Sequence, residues 1–270
     1  IQKEKGLKGY FSRRAIIYGG PLIQDNNSRI TAKLLNEIEI ELRNKVIYIE
    51  TRNLIDYKSS TELFSKLNWK YIPYLSFQFL FNNKNLDDFT KKMNYNRRRE
   101  IKISINEGAF YCEAKNETEV KELFKILNDL YTTKVKLPLP NEEYFLKLFK
   151  SKIGKVFLVK HNEKTIGGAF CFYYPNLFIY TLYYCGIREY HKKIFPTHLA
   201  IIATINFGIK HQLTGLDLMG AGKPFEDYGV RKYKAEFGGE LVEYGRFFKI
   251  TNLFLYRIGV FGLKILKKTR

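Results

Sequence analysis

The chain is poor in the residues that build metal centres and disulfide frameworks. Among 270 residues there are three cysteines and four histidines. Cys112, Cys171 and Cys185 form no Cys-x-x-Cys pair. Neither a structural zinc site nor a disulfide-stapled scaffold is therefore expected, and a reducing compartment is. No His-Glu-x-x-His or His-x-His motif occurs, which counts against a metal hydrolase. No apolar run reaches the roughly 18–20 residues of a membrane span, and no secretory signal pattern is present. The chain opens on Ile1 rather than Met. The first domain is accordingly expected to be truncated at its N-terminus, which leaves room for a removed targeting or membrane segment. Acidic residues are also scarce, with 27 Asp and Glu against 46 Lys and Arg, a net charge of +19. That imbalance points to a polyanionic partner: nucleic acid, an anionic membrane face or a phosphorylated substrate.

What is present is enough for a buried core. Hydrophobic residues make up 45% of the chain and charged residues 27%, and the length suits one large domain or two of about 100–150 residues. Residues 13–18 read as a β-branched strand broken by Gly19-Gly20-Pro21. A helix follows over 28–43, with Ile30, Leu34, Leu35, Ile38 and Leu42 at helical spacing. Then come a strand at 46–50, a short helix at 61–67 and an aromatic strand at 71–81. Residues 87–107 read as one basic helix ended by Gly108, followed by a strand at 109–114 and an amphipathic helix at 117–131. The Leu137-Pro138-Leu139-Pro140 segment is an extended connector, and a helix near 141–151 follows it. Strands at 156–160, 165–173 and 177–185 have short connections, which predicts an antiparallel meander. A helix at 197–210, a strand at 213–219, a helix at 230–237 and a strand at 240–250 complete the pattern. The order strand, short helix, aromatic strand occurs in both halves at nearly equal spacing, which reads as two copies of one α/β unit.

One stretch carries a more specific signal. Gly215-Leu216-Asp217-Leu218-Met219-Gly220-Ala221-Gly222 is followed by Tyr228-Gly229-Val230-Arg231-Lys232-Tyr233-Lys234-Ala235-Glu236-Phe237-Gly238-Gly239. An Asp-bearing strand ending in Gly, then an aromatic-Lys-x-x-Phe-Gly helix end, resembles the Fem family, the transferases that build peptidoglycan interpeptide bridges from aminoacyl-tRNA. Gly19-Gly20-Pro21-Leu22 is similar to that family's Arg-Gly-Pro-aliphatic loop, with Gly19 in place of the arginine. Asn96 to Gly108 is similar to its basic helix. The long coiled-coil arm of many members has no counterpart here. The resemblance implies an α/β fold of two tandem GNAT-like (acyl-CoA N-acyltransferase-like) domains, with mixed, mostly antiparallel sheets flanked by helices. The domains are expected over 1–84 and 85–250, with 251–270 as a separate C-terminal helix.

The resemblance also implies an acyltransferase of the EC 2.3 type. Aminoacyl-tRNA is the expected donor, an amine on a lipid-linked peptidoglycan precursor the expected acceptor, and no metal or bound cofactor is needed. A CoA-using domain of this fold places a glycine-rich loop before its long helix, where backbone N–H groups hold pyrophosphate. The corresponding segment, Gly186 to Pro196, has no glycine pair. An acyl-CoA or acyl-carrier-protein dependent N-acyltransferase acting on a lipid or polysaccharide is the alternative enzyme. A non-catalytic RNA- or membrane-binding module is the alternative outside catalysis.

Candidate residues follow, each with a structural alternative. Lys234 matches the family lysine and is expected to stabilise the developing charge of acyl transfer; a solvated helix lysine is the alternative. Asp217 either orients the amine or caps the next turn. Gly19, Gly20 and Pro21 form either an approach for an acceptor pyrophosphate or a simple turn. Arg97, Arg98, Arg99 and Lys102 are expected to grip phosphates, or else to form a solvated face. Lys134 and Lys136 stand where the family tends to place a basic acceptor contact. Tyr183 and Tyr184, on the central strand, and Tyr233, beside Lys234, are candidates for the substrate cleft. His191 and His198 read as structural. The tail from Thr251 is apolar and basic, with Lys249, Arg257, Lys264, Lys267 and Lys268 within about 100° on a helical projection. It either lies on an anionic membrane surface, which would make a cytoplasmic protein peripheral on the inner face of the membrane, or packs back on the first domain.

Overall fold

The computed structural model describes residues 1–3, 6–82 and 85–268; the side chains of residues 7, 8, 26 and 263–268 fall outside the description. The chain begins with α1 (Leu7–Ser12), β1 (Arg14–Tyr18), α2 (Ser28–Leu42), β2 (Tyr48–Arg52), α3 (Thr61–Lys66) and β3 (Lys70–Ile72). It continues through β4 (Leu75–Leu80), α4 (Leu86–Lys92), α5 (Tyr95–Asn106), β5 (Phe110–Glu113), α6 (Glu117–Leu130) and α7 (Glu142–Lys150). Then come β6 (Gly154–His161), β7 (Lys164–Tyr173), β8 (Phe178–Gly186), α8 (Pro196–Lys210), β9 (Gly215–Gly220), α9 (Gly229–Ala235) and β10 (Glu240–Glu243). β11 (Arg246–Ile250) and α10 (Leu253–Lys268) follow.

Two compact units form. The first is Ile1–Leu75 with Glu243–Arg270, and the second is Ser76–Val242. The first unit holds a mixed sheet in the order β1-β2-β11-β3, in which β1 and β2 run parallel and β11 runs antiparallel to both neighbours. Its core gathers Leu35, Ile49, Phe64, Trp69 and Phe247, with Phe64 stacked on Phe247 at 3.7 Å. The second unit holds a sheet in the order β10-β4-β9-β8-β7-β6-β5. β6, β7 and β8 form the antiparallel meander that their short turns predict. α8 is apolar on every side and is buried along most of its length, as a helix hydrophobic all round must be. α6 and α7 carry Leu123, Leu127 and Phe145 into a core with Leu158 and Phe170.

The repeat read from the sequence has a structural counterpart. In the first sheet β11 lies between β2 and β3; in the second β4 lies between β9 and β10. Each inserted strand comes from the other half of the sequence. The aromatic strand expected over 71–81 is consequently two strands, parted at Pro73-Tyr74, since proline has no N–H to give a ladder. The strand expected over 240–250 is parted at Tyr244-Gly245. Gly245 has φ +65°, and a Cβ there would sit 2.3 Å from the Tyr71 ring, so this bend demands glycine. The unit boundaries therefore differ from cuts at 84 and 250. α10 belongs to the first unit, with Tyr256 against Tyr48 and Phe248.

The basic helix expected over 87–107 is also two helices. Met93 is extended, and the Asn94 side chain accepts from the Asn96 N–H at 2.9 Å to start α5. An N-cap of that kind ends one helix and begins the next.

Candidate functional site

β8 and β9 are parallel neighbours for only three residues, Phe178 to Tyr180 against Gly215 to Asp217. Beyond that point no pairing joins them among the described residues, and the sheet forks. The residues at the fork are Tyr184 on one strand and the 217–220 end of the other.

That strand end is held from two sides. Asp217 is 1% exposed and accepts from the Ser76 hydroxyl, from Gln78 Nε2 at 3.0 Å and from the Met219 N–H at 2.5 Å. Burial raises its pKa, and those hydrogen bonds and the Lys234 charge oppose the rise. Lys234 is 3% exposed. Its ammonium donates to the carbonyls of Leu218 at 2.6 Å, Met219 at 2.7 Å and Gly220 at 2.9 Å. An ammonium has three donors, and all three are used. Met219 takes φ +55° to make this curl, an uncommon angle for a side-chain-bearing residue. Burial brings the Lys234 pKa down to about 7, against the pull of Asp217. Three acceptors facing one nitrogen favour its charged form.

Two expectations change here. Lys234 is not a free ammonium facing a developing charge, because its protons already have acceptors. Asp217 does not face an amine, because both of its oxygens are occupied and buried. Both are positioning residues for the Leu218–Gly220 backbone. Tyr184 is different. It packs on Tyr233 at 6.3 Å and lies 5.6 Å from Lys234 Nζ, and its hydroxyl has no hydrogen-bond partner among the described residues. Burial keeps that phenol protonated by raising its pKa. Tyr183, one residue earlier, points to the opposite face of the sheet and packs against Tyr131 and Phe145.

Behind this strand end lies a second network. Arg97 is 7% exposed. Its guanidinium pairs with Glu100 at 3.1 Å and with Glu236, touches His198 Nε2, and lies 4.7 Å over the Tyr233 ring. His198 Nδ1 is 3.0 Å from the Tyr233 hydroxyl. Arg97 therefore leaves the phosphate-binding set: it locks α5 to α8 and α9. The available signal was its spacing, since Arg97, Ile101 and Ser104 form the buried stripe of α5. His198 belongs to this buried network. Burial, with the Arg97 charge beside it, lowers its pKa to about 3. Between pH 6.5 and 3 the unfolded chain takes up a proton that the folded one refuses, so stability falls as pH falls through that window. The expected loss is on the order of 4 kcal/mol by pH 3. Urea unfolding from pH 7 to 4 should show it, with a shallower slope in His198→Gln. Equal slopes in the two proteins would disprove the assignment.

The remaining candidates are dispersed. Arg98, Arg99 and Lys102 are exposed on α5 with no ion-pair partner among the described residues. Lys136, at φ +54°, closes the wide turn that follows α6, its N–H on the Tyr131 carbonyl at 2.7 Å. Lys134 lines a cavity of about 580 Å³ between α6, the turn into β7 and the end of β8, together with Lys125, Lys164 and Arg188. Gly19, Gly20 and Pro21 belong to the first unit. Gly19 has φ +85° and donates to the Arg52 carbonyl, and a Cβ on Gly20 would strike the Tyr57 ring at 2.5 Å. The left-handed backbone at Gly19 and the Tyr57 ring against Gly20 require glycine at both positions.

Sequence reasoning missed Ser76, Gln78 and Arg231. Ser76 and Gln78 are alternate polar positions in an otherwise apolar strand, which is a readable sign of a shared polar partner. Arg231 donates to the carbonyls of Ala221, Lys223, Pro224 and Glu226 and so braces the loop after β9. Phe225, 96% exposed, stands on that loop. Among the described residues, no group of three His, Cys, Asp or Glu side chains is placed to hold a metal ion.

No family model matches the sequence, and no curated protein matches it. The fold is shared with solved structures. FemX superposes with a TM-score of 0.67 at 15% identity, over 90% of this chain and 82% of that one. L-PGS from Bacillus licheniformis gives 0.60 at 14% identity, over 92% and 82%. A C-terminal domain assigned to a lysylphosphatidylglycerol synthetase of Agrobacterium fabrum gives 0.61 at 10% identity, over 94% and 83%. At these identities the likeness is one of fold. It is the Fem-like tandem GNAT fold that the sequence motifs imply.

Proposed function

We propose that this protein is an aminoacyltransferase that takes its aminoacyl group from charged tRNA and passes it to an amine of a lipid-linked cell-envelope precursor. The amine nitrogen attacks the ester carbonyl. The ester C–O bond breaks, the terminal ribose hydroxyl leaves carrying a proton, and an amide forms. Holding ester and amine together supplies much of the rate. The observation that carries this reading is the fork of β8 and β9, where Tyr184, its hydroxyl unpartnered among the described residues, lies beside Lys234, which with Asp217 clamps the end of β9. A protonated phenol there can donate to the oxyanion as it develops. The unpaired Arg98, Arg99 and Lys102 suit a phosphate backbone. Exposed Phe225, on a braced loop, suits stacking of an unpaired base. Glycine is absent between Ile187 and Pro196, which weighs against a CoA pyrophosphate cradle. Charged tRNA places the reaction in the cytoplasm.

The test follows radiolabelled amino acid from charged tRNA into membrane-lipid extract. Label should enter the organic phase and resist mild alkali, as an amide does. Alkali-labile label would indicate an ester to a lipid hydroxyl, the product class that the name lysylphosphatidylglycerol synthetase describes for its own enzyme. Tyr184→Phe should lower turnover about 10- to 100-fold without changing thermal unfolding. Charge reversal at Arg98, Arg99 and Lys102 should raise the KM for tRNA about tenfold or more and flatten its salt dependence. Label that stays on tRNA, with acceptor verified present, would refute the proposal. Transfer from acyl-CoA or acyl-carrier protein instead would establish the alternative donor, and binding of tRNA without turnover a non-catalytic module.

A further inference from the structure

α10 is apolar on two sides. One side faces its own unit: Tyr256 meets Tyr48 and Phe248, and a Cβ on Gly259 would lie 2.9 Å from the Phe11 carbonyl. The other side is exposed. Leu253 is 52% exposed, Phe254 73%, Ile258 38% and Phe261 66%. Positions 254, 258 and 261 follow at steps of four and three, so they form one stripe. Arg257 is exposed beside it with no partner among the described residues. α10 contains no acidic residue. α1 packs against α10 and adds an exposed Tyr10, with Arg13 4.6 Å over its ring.

We infer that this outward face of α10 docks on an anionic lipid bilayer, with Phe254, Ile258 and Phe261 entering the acyl boundary and Arg257 at the headgroups. An exposed aromatic and branched stripe, with a cation beside it and no acidic residue on the helix, is what an interfacial helix presents. Among the described residues no helix is long and apolar enough to cross a membrane. A second copy of the chain is the poorer occupant. It would set Arg257 of each copy near the other with no acidic residue on α10 to answer it, and like charges in an interface repel. Lys264, Lys267 and Lys268 have side chains outside the described residues, and the surface is defined without them. The inference rests on the first unit alone and is independent of any transfer reaction.

The test is co-sedimentation of the whole protein with vesicles of phosphatidylcholine, alone or with phosphatidylglycerol added. Binding is expected with phosphatidylglycerol, weakening as salt rises. F254E/F261E should reduce it about tenfold or more, with circular dichroism and thermal unfolding unchanged because both positions are exposed. Arg257→Glu supplies the same test through charge if the double variant unfolds. The inference is overturned if phosphatidylglycerol vesicles fail to bind the protein, if they bind the double variant equally well, or if the face instead makes a dimer that the double variant loses.

Discussion

Lys234→Met is expected to lower turnover by about 100-fold, the scale on which a misplacement of about 1 Å acts on a reacting centre. The route is indirect. Methionine fills the space but gives no donor, so the carbonyls of Leu218, Met219 and Gly220 lose their shared partner. Buried acceptors without partners are costly, and about 3 kcal/mol of stability should go with them. The strand end would then relax away from the Tyr184 hydroxyl. Two features separate this from simple unfolding. First, turnover is compared at a temperature where both proteins are folded by circular dichroism. Second, the wild-type pH profile should carry a falling limb near pH 7, where the buried ammonium loses its proton, and residual activity of the variant should lack it. Stability moves the other way. Between pH 7 and 10.5 the unfolded chain keeps a proton that the folded chain has released, so this group's contribution to stability rises with pH as activity falls. Activity that rises through pH 7 would mean that neutral Lys234 acts as a base, and the positioning role would be wrong.

Arg97→Met is the second large effect, and it falls on stability. Three consecutive arginines stand at the start of α5, yet their fates differ. Arg98 and Arg99 are solvated, and alanine at either should change stability by no more than about 0.5 kcal/mol. Arg97 holds Glu100 and Glu236, touches neutral His198 and covers the rings of Tyr233 and Phe237. Removing one partner of such a network leaves the others uncompensated, at a cost of about 3 kcal/mol or more. Lysine should not rescue it, because a point charge cannot serve both carboxylates in the fork geometry of guanidinium. Urea unfolding of Arg97→Met, Glu236→Gln and the pair gives the coupling directly. Additive losses would show that the ion pair is not what holds α5 to α9. Equal midpoints for Arg97→Met and Arg98→Ala would dismiss the network altogether.

What the sequence determined by itself is local. The helices at 28–42 and 117–130 follow from apolar spacing and their Asn27 and Asn116 caps, and the helix at 196–210 from a long apolar run opened by Pro196. The meander follows from short turns at 162–163 and 174–177. The two-fold repetition of strand, helix and aromatic strand follows from composition. These need only neighbours in the chain, and the period of the side chains reports them. The motif around Asp217 and Lys234 pointed to the region of the candidate site, because a strand end and the helix after it lie close in sequence.

Only the tertiary structure decided the rest. The exchange that sets β11 between β2 and β3, and β4 between β9 and β10, depends on pairings across most of the chain, to which no local pattern is sensitive. The fate of each cation was equally hidden. Lys234 reads as an ammonium for a developing charge, or else as a solvated helix lysine, until three carbonyls from 14 to 16 residues earlier are seen to converge on it. Asp217 reads either as orienting an amine or as capping the next turn until Ser76 and Gln78, well over a hundred residues away, are seen to fill its oxygens. Charge and polarity are written in the sequence. Whether a charge meets water, a carboxylate or a ring of carbonyls depends on which distant segment folds over it, and burial then sets both its pKa and its role.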